Sequence, residues 1–244
     1  MTDERQTQAP TMTSTGWLLS IERGSAQALH DRQISHPPTH GLWLNQVVRP
    51  AFVLGRSQAD GVIDANRTAA EGFDVCRRHS GGGIVVVRPG LDTWIDVVIP
   101  AESALWSDDV GKAFHWLGEV WVNCLQTLTP GLSVSMYQGP LQGGPAGKLI
   151  CFASLGPGEV TVEGRKVVGI SQRRTTQAAR FQCVVTWNWY PELLEGAVAP
   201  DQLGSLGLIP NEIAAGLSLA EPPAIELVTS TFIDHLPPVN LGPR

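Results

Sequence analysis

The sequence predicts a protein of the α/β (α+β) class, with a mixed, largely antiparallel sheet flanked by helices. Hydrophobic residues make up 43% of the 244 positions and charged residues 16%, so the chain can bury a sizeable core. Short strand-like runs follow one another at the spacing of hairpins instead of alternating strictly with helices. One longer segment repeats its apolar residues every three or four positions, which is the period of an amphipathic helix.

Strands are predicted wherever a short run rich in β-branched or aromatic residues lies between turn residues. These runs cover residues 42–48, 52–54, 75–78, 84–87, 94–99, 149–152, 160–162, 166–172 and 181–189. Pro50 separates the first two runs, because proline has no N–H to donate to a strand ladder. Residues 138–147 contain four glycines and two prolines and are predicted to be a flexible loop.

Helices are predicted from helical periodicity and from capping and proline signals. They cover residues 22–32, 64–71, 107–128, 191–194, 210–216 and 223–236. The clearest is the third, where Val110, Phe114, Leu117 and Trp121 recur at helical spacing. A serine stands at its first position, which is a favourable residue for a helix N-cap.

The chain is predicted to form one domain. Residues 1–14 contain few large apolar side chains and are predicted to be a disordered leader, residues 15–236 form the domain, and residues 237–244 are a Pro-rich flexible tail. No apolar stretch approaches the roughly 20 residues of a membrane span, and the first residues carry no secretory signal. A cytoplasmic protein without a membrane partner is therefore expected.

Charge and cysteine spacing exclude two further classes. The net charge of −6 argues against a nucleic-acid partner, because such proteins usually carry a basic face. The four cysteines are widely spaced, with no CxxC pair and no histidine nearby in ligand register. They are Cys76, Cys124, Cys151 and Cys183. No metal site is predicted, and reduced, mostly buried thiols are expected.

A glycine-rich turn, RRHSGGG over residues 77–83, links two predicted strands. Three successive glycines cost about 1 kcal/mol each in backbone entropy relative to alanine in regular structure. One interpretation is an anion-binding loop, whose N–H groups approach a phosphate or carboxylate while Arg77 or Arg78 supplies charge. The other is an ordinary hairpin turn. A Walker loop and a dinucleotide fingerprint are excluded, because no GK[ST] and no helix follow the glycines.

A second motif, VEGRKVVGISQRR over residues 162–174, contains Lys166, one of only three lysines in the chain. Its Glu-Gly pair predicts a hairpin turn, and in the strand that follows Lys166 shares a face with Val168 and Ile170. A lysine on an apolar face is either an edge residue whose ammonium reaches water or a buried cation held for an anionic partner.

Together the two motifs resemble the paired signatures of the lipoate–protein ligase and octanoyltransferase family, part of the biotin/lipoate protein ligase superfamily. They stand in the family's order, about eighty residues apart, and FVLGRSQ at 52–58 and WIDVVIP at 94–100 also fit the pattern. The resemblance implies the fold of that superfamily's catalytic domain. It also implies attachment or transfer of a lipoyl or octanoyl group to a lysine of an acceptor protein.

The resemblance gives roles to residues of both motifs. Arg78 and the glycine loop would hold the acyl carbonyl or the phosphate region of an acyl-adenylate, and Lys166 would bind the same groups as a fixed cation. The binding residues that it implies are Arg78, Ser80, Gly81, Gly82, Gly83, Gly169 and Ser171. This ligase route would use ATP and Mg²⁺, with lipoate or octanoate as the substrate.

Cys151 opens a second route. One branch of the family, the cysteine-dependent octanoyl- and lipoyl-transferases, carries an acyl-bearing cysteine in a Cys-Phe context like Cys151-Phe152, shortly before the lysine hairpin. Nearby cations would favour a nucleophilic thiolate, and the alternative is a buried structural thiol. This thioester route needs no cofactor. The expected partners are a lipoyl-domain acceptor or a glycine-cleavage H-like protein, with an acyl carrier as the donor.

The sequence departs from the family pattern at two places. Many relatives have a His–Asp pair soon after the glycine loop, where Val87 and Arg88 stand here. Many also have His-Gly after the lysine strand, where Gln182 and Cys183 stand. A non-catalytic homologue that binds an acyl-adenylate is therefore an alternative. A biotin–protein ligase is a weaker one, since that group's loop alternates Arg and Gly.

Overall fold

The computed structural model describes residues 5–207 and 209–239 of the chain. Two β-sheets with helices packed on them make up the architecture, which confirms the predicted mixed class and its largely antiparallel sheet. In the described residues no helix is both long enough and apolar enough to cross a membrane.

The strands fall into a large and a small sheet. In chain order they are β1 (Gln6–Thr7), β2 (Thr11–Met12), β3 (Leu18–Gly24), β4 (Gly41–Val47), β5 (Ala51–Leu54), β6 (Asp74–Arg77), β7 (Val85–Val87), β8 (Asp92–Pro100), β9 (Val134–Met136), β10 (Val160–Val162), β11 (Arg165–Arg174) and β12 (Ala178–Thr186). The large sheet has the order β1-β3-β4-β8-β12-β11-β10-β9, with β2 also on β3, and the small sheet has the order β6-β5-β7. Among the pairs between these described strands, β3–β4 and β5–β6 are parallel and the others antiparallel.

The register of the central strands lines up one row of side chains. Val184 of β12 lies opposite Gly169 of β11 and Trp94 of β8. Two positions before it in β12, Gln182 lies opposite Ser171 of β11. Directly opposed residues of antiparallel strands project from the same face, so these five residues form a continuous wall across three strands.

Helices connect the strands and cover the faces of the sheets. They are α1 (Ala26–His30), α2 (Ala65–Ala70), α3 (His115–Leu128), α4 (Gly144–Leu149), α5 (Pro191–Ala197), α6 (Pro200–Leu206) and α7 (Ile225–Asp234). Short 3₁₀ turns lie at Asp60–Val62, Lys112–Phe114, Cys151–Ala153 and Pro210–Glu212.

The apolar residues collect in three clusters. The first lies between the large sheet and the helices α3 and α7, where the rings of Trp121 and Phe232 are fully buried 4.4 Å apart. The second lies between the small sheet and α5, with Phe52 and Leu194 in it. The third joins the two sheets, because Trp94 of the large sheet packs with residues of β5 and β7. The two sheets are therefore held together beside a space that both of them line.

The N-terminal segment differs from the predicted disordered leader over residues 1–14. Its first four residues lie outside the described part of the chain, whereas β1 and β2 pair with β3. The reason is the buried carboxylate of Glu22, which accepts a hydrogen bond from Thr7 at 2.6 Å and pairs with Arg5 and Arg32. A buried charge needs such partners, so the segment folds onto the sheet.

Two predicted helices are shorter than expected. The helix predicted over residues 22–32 is confined to α1, because the preceding residues extend β3 and Ser25 caps the helix by accepting from the Ala28 N–H at 3.2 Å. The helix predicted over residues 107–128 becomes α-helical at His115. Before that point, the Asp109 side chain accepts from two backbone N–H groups and starts a tighter turn.

The loop predicted over residues 138–147 and the strand predicted over 149–152 were both wrong in part. Residues 144–149 form α4, and a 3₁₀ turn follows it at Cys151–Ala153. Pro145 stands in the first turn of α4, where a missing N–H costs nothing, and Leu149 buries the other end. The helix predicted over residues 210–216 is likewise reduced to the turn at Pro210–Glu212.

The predicted flexible tail begins with ordered residues. The indole N–H of Trp17 donates to the Pro237 carbonyl at 2.9 Å, and the Val239 N–H donates to the Thr15 carbonyl at 2.9 Å. Residues 240–244 lie outside the described residues. The predicted strands 42–48, 52–54, 75–78, 84–87, 94–99, 160–162, 166–172 and 181–189, and the helices 64–71, 191–194 and 223–236, are found near their predicted positions.

Candidate active site

A cavity of about 280 Å³ lies between the two sheets. One wall is the row across β8, β12 and β11, and the opposite wall is formed by valines of β5 and β7. Phe114 and Phe152 add aromatic surface, and Leu141, which is 74% exposed, lies at the rim. The lining is mainly apolar with a few polar groups, as is usual for a cavity that encloses an apolar ligand group.

The glycine loop closes one side of this cavity, and Arg78 shapes it from within. Gly81 and Gly82 line the cavity, and the Ser80 hydroxyl donates to Ser171 Oγ at 3.1 Å. The buried Arg78 guanidinium donates to the carbonyl of Gly81 at 2.8 Å and to that of Gly83 at 2.8 Å. Burial lowers the pKa of Arg78, and negative charge on Cys151, Cys76 or Glu159 opposes that shift. The backbone N–H groups of Gly81 and Gly82 donate to no acceptor within the described residues, and both glycines are exposed.

Gly83 lets the loop touch the backbone that carries Cys151. A Cβ atom at this position would lie 2.7 Å from the Cys151 nitrogen and 2.7 Å from backbone atoms of Ile150. The next residue, Ile84, donates to the Leu149 carbonyl at 2.8 Å and accepts from the Cys151 N–H at 3.0 Å. The glycine therefore fixes the distance between the loop and the thiol.

Replacing Gly83 with alanine should destabilise the protein by about 1–3 kcal/mol, because backbone rather than a flexible side chain has to move. Urea unfolding would measure the loss. Gly81→Ala is the matched control, since a Cβ there meets nothing within 4 Å. Equal stability of the two variants would contradict the close packing inferred for Gly83.

Cys151 is the thiol that reaches the cavity. It is half-buried and lines the cavity, whereas Cys76, Cys124 and Cys183 are buried within their own elements. Burial raises the pKa of Cys76 and of Cys124 to about 12 and raises the pKa of Cys183 further. A thiol with such a pKa stays protonated at neutral pH, and so those three are poor nucleophiles.

Lys166 lies beside Cys151 but does not line the cavity. Its Nζ forms an ion pair with Glu159 Oε2 at 2.6 Å and donates to the carbonyls of Cys151 at 3.1 Å and Ser154 at 2.9 Å. An ammonium has three donors, so these three acceptors satisfy it. Lys166 faces a neighbouring groove, and the Phe152 ring, 5.1 Å from Nζ, belongs to the walls of both spaces.

Sequence reasoning did not single out Glu159. The carboxylate accepts from the Gly156 N–H at 2.7 Å and from the Ile170 N–H at 3.3 Å, and it is buried at the cavity wall. Little in the sequence indicates this role, because Glu159 is a single acidic residue before β10 and Lys166 lies on the next strand, β11. Recognising the pair requires knowing that β10 and β11 bring both residues to one side.

His30 was also missed. It comes from α1, lines the cavity and packs its ring against Trp94 with ring centroids 4.4 Å apart. Its Nδ1 lies 3.0 Å from Nε2 of Gln182, one of the two positions where many relatives have histidine. Burial, followed by the charges of Arg180 and Arg78, lowers the pKa of His30 well below its usual range, so the imidazole is neutral at pH 7. The cavity wall beside Gln182 therefore does contain a histidine, but it is His30 of α1 and not a residue of β12.

The backbone of α1 is fixed to the sheet by Arg180. The guanidinium binds the Asp96 carboxylate through Nε at 2.8 Å and through a second nitrogen, and both residues are buried. It also donates to the carbonyls of Leu29 at 2.8 Å, His30 at 3.0 Å and Arg32 at 2.8 Å. These bonds satisfy the carbonyls at the end of α1 and set the position of His30.

Comparison with protein families gives one match. The model of the lipoyl protein ligase A/B catalytic domain matches residues 25–206, about three quarters of the chain. No curated protein has significant sequence similarity to the chain.

Several solved structures share the fold. A lipoate-protein ligase A bound with ATP superposes with a TM-score of 0.65 at 19% identity, over 90% of this chain and 82% of that one. A Thermoplasma acidophilum protein with bound lipoic acid gives 0.65 at 18% identity, over 90% and 83%. The bipartite lipoate protein ligase of that organism, studied with its E2 lipoyl domain, gives 0.60 at 18% identity, over 81% and 69%.

Proposed function

Since the chain belongs to the lipoyl protein ligase A/B catalytic-domain family, as its two motifs predict, we propose that it attaches a lipoyl or octanoyl group to a lysine of a lipoyl-domain protein. The cavity supports an acyl chain as the bound group, because its lining surface is mainly apolar and includes four valines and three aromatic side chains. The structurally similar ligase that was studied with an E2 lipoyl domain supports the choice of acceptor.

The route favoured here passes through a thioester on Cys151. The observation that carries it is a half-buried thiol at the wall of an apolar cavity, next to the glycine loop and Arg78. The Cys151 thiolate attacks the carbonyl carbon of an acyl thioester, the carbon–sulfur bond of the donor breaks, and the carrier thiolate leaves and takes a proton. The lysine amine of the acceptor then attacks the new thioester, loses a proton to solvent, and the amide forms as the Cys151 thiolate leaves.

We assign to the glycine loop the stabilisation of both tetrahedral intermediates. Negative charge develops on the acyl oxygen in each step, and preorganised N–H donors in a dry site stabilise it strongly. Gly81 and Gly82 line the same cavity as Cys151, and their N–H groups have no acceptor within the described residues. The Arg78 cation also lines the cavity and is bound to carbonyls of the same loop, and so it adds positive charge beside the acyl oxygen.

The ATP-dependent ligase is the second candidate, with Mg²⁺ and an acyl-adenylate held by Arg78, Ser80, Gly81, Gly82, Gly83, Gly169, Ser171 and Lys166. Its support is the similarity to a ligase bound with ATP. Against it, the two cations that the motifs assign to the acyl-adenylate are already engaged, Arg78 by loop carbonyls and Lys166 by Glu159. A phosphate would have to displace those partners, whereas a thioester needs no free cation.

The thioester route is tested by the intact mass of the protein after incubation with an octanoyl-carrier thioester, without ATP. The wild type should gain one octanoyl group, and Cys151→Ala should gain none, because it lacks the nucleophile. Transfer to an added lipoyl domain should fall at least about a thousandfold in that variant. Cys124→Ala is the control, because Cys124 is buried in α3 on the other side of the large sheet and should leave the adduct intact.

An unmodified wild type would remove Cys151 from the mechanism. Addition of ATP, Mg²⁺, octanoate and a lipoyl domain would then separate the remaining possibilities. A modified lipoyl domain would identify a ligase. Tight binding of a non-hydrolysable acyl-adenylate without modification would identify a non-catalytic homologue.

A further inference from the structure

The cavity is lined by a ring nitrogen, Nε2 of His30, for which the described residues supply no hydrogen-bond partner. The Gln182 amide N–H₂ can only donate, so Nδ1 of the neutral His30 accepts from it and the ring proton sits on Nε2. His30 is 6% exposed and lines the cavity, and its Nε2 has no acceptor within the described residues. A donor that lines an apolar cavity and has no acceptor among the described residues is available to an acceptor atom on the molecule that enters.

The donor and the thiol are carried by segments that pack on different strands of the large sheet. The turn that carries Cys151 packs on β11, where the Phe152 ring lies beside Gly169. His30 packs on Trp94 of β8 and bonds to Gln182 of β12. From β11 to β8 is two strand spacings, or about 10 Å. An extended chain advances about 1.2 Å per bond, so an acyl chain that crosses both strand spacings is about eight bonds long.

We infer that His30 is a specificity-determining residue whose Nε2–H binds an acceptor atom near the far end of the acyl chain. The preferred substrate then carries a disulfide sulfur or an oxygen about six to eight carbons from its carbonyl, rather than an unsubstituted alkyl chain. This inference rests on the proposed function, because it takes the cavity to be the acyl site.

The rigid surroundings of His30 make it a selective donor rather than an adaptable one. Its ring is held by the Trp94 face and by Gln182, and its carbonyl by Arg180. Trp94 is fixed in turn, because its indole N–H donates to the same Asp96 carboxylate at 2.7 Å. A donor that cannot move away rejects a chain that leaves it unpaired, which is how a buried polar group discriminates between similar substrates.

The test is a binding cycle with two acids of equal heavy-atom number, 8-hydroxyoctanoate and nonanoate, measured by calorimetry. The measured quantity is the affinity for the hydroxy acid divided by the affinity for nonanoate. This ratio should be about 5- to 30-fold higher in the wild type than in His30→Leu. His30→Gln, which keeps an N–H donor, should restore part of the ratio. His235→Leu is the matched control, because His235 bonds to Thr127 beside α3, away from the cavity.

The same cycle with lipoate separates the two acceptor chemistries. A drop in lipoate affinity in His30→Leu, against an unchanged affinity for nonanoate, would assign the sulfur as the acceptor. A drop limited to the hydroxy acid would assign an oxygenated chain. Identical affinity ratios in the wild type and His30→Leu would overturn the inference and leave the proposed function standing. Failure of all three acids to bind the wild type would overturn the inference, and the octanoyl adduct on Cys151 would decide the proposed function independently.

Discussion

Replacing Arg180 with methionine should lower the free energy of unfolding by about 3–5 kcal/mol. The change removes the partner of the buried Asp96 carboxylate and three donors to the carbonyls at the end of α1. What remains is an unpaired charge in an apolar layer, and its desolvation is no longer offset. Urea denaturation would show the loss as a lower midpoint with an unchanged slope.

Two variants distinguish this account from a general loss of packing. Arg173→Met removes an arginine from the opposing position in β11, and within the described residues that side chain has no ion pair. It should cost less than about 0.5 kcal/mol. The double variant Asp96→Leu with Arg180→Met removes both charges and should recover part of the lost stability. A double variant less stable than the sum of the two single ones would contradict the argument.

Replacing Lys166 with methionine should have the second-largest effect, again about 3–5 kcal/mol of unfolding free energy. Glu159 would keep its two backbone donors but lose the cation 2.6 Å away, while 6% exposed at the wall of the cavity. The carbonyls of Cys151 and Ser154 would lose a donor as well, which loosens the turn that presents the thiol. Thermal unfolding and alkylation of Cys151 would follow the two consequences separately.

Lys112→Met is the control for Lys166→Met. Lys112 is 75% exposed and its nearest carboxylate oxygen, on Asp109, is 3.9 Å away, so the change should be almost neutral. Glu159→Gln with Lys166→Met removes both charges and should be more stable than Lys166→Met alone. If the single variant proves as stable as the wild type, the ion pair is not what holds the turn.

The sequence predicted those parts of the fold whose signal is local. Runs of β-branched and aromatic residues predict the strands around Val160 and Phe181, and both strands are present. The segment before Cys151 did not, because α4 is short, rich in glycine and stabilised by packing of Leu149 rather than by propensity. The charge of Glu22 suggested an exposed helical position at the start of the helix predicted over residues 22–32. In the structure Glu22 is a buried residue of β3, and its partners are Arg5, Thr7 and Arg32.

The candidate site divides in the same way. The two motifs predicted which segments meet, and the structure does bring the glycine loop, Cys151 and Lys166 together. The sequence could not show that Arg78 donates hydrogen bonds to carbonyls of its own loop. It also could not show that Glu159 forms an ion pair with Lys166, or that His30 of α1 lines the cavity. Each of these depends on partners distant in the chain, as the 152-residue separation of Gln182 and His30 illustrates.

The cavity is lined by residues from three neighbouring strands of the large sheet, β8, β12 and β11. Along a strand, residues on one face repeat about every 6.8 Å, whereas neighbouring strands are about 4.8 Å apart. Each wall position therefore spans about four carbons of an extended chain. Enlarging Val184 in the middle row, or Gly169 beside the thiol, would shorten the accepted chain by a block of carbons in one step. Substitutions in such a site therefore change the accepted chain length by about four carbons at a time, because each strand spacing corresponds to about four carbons.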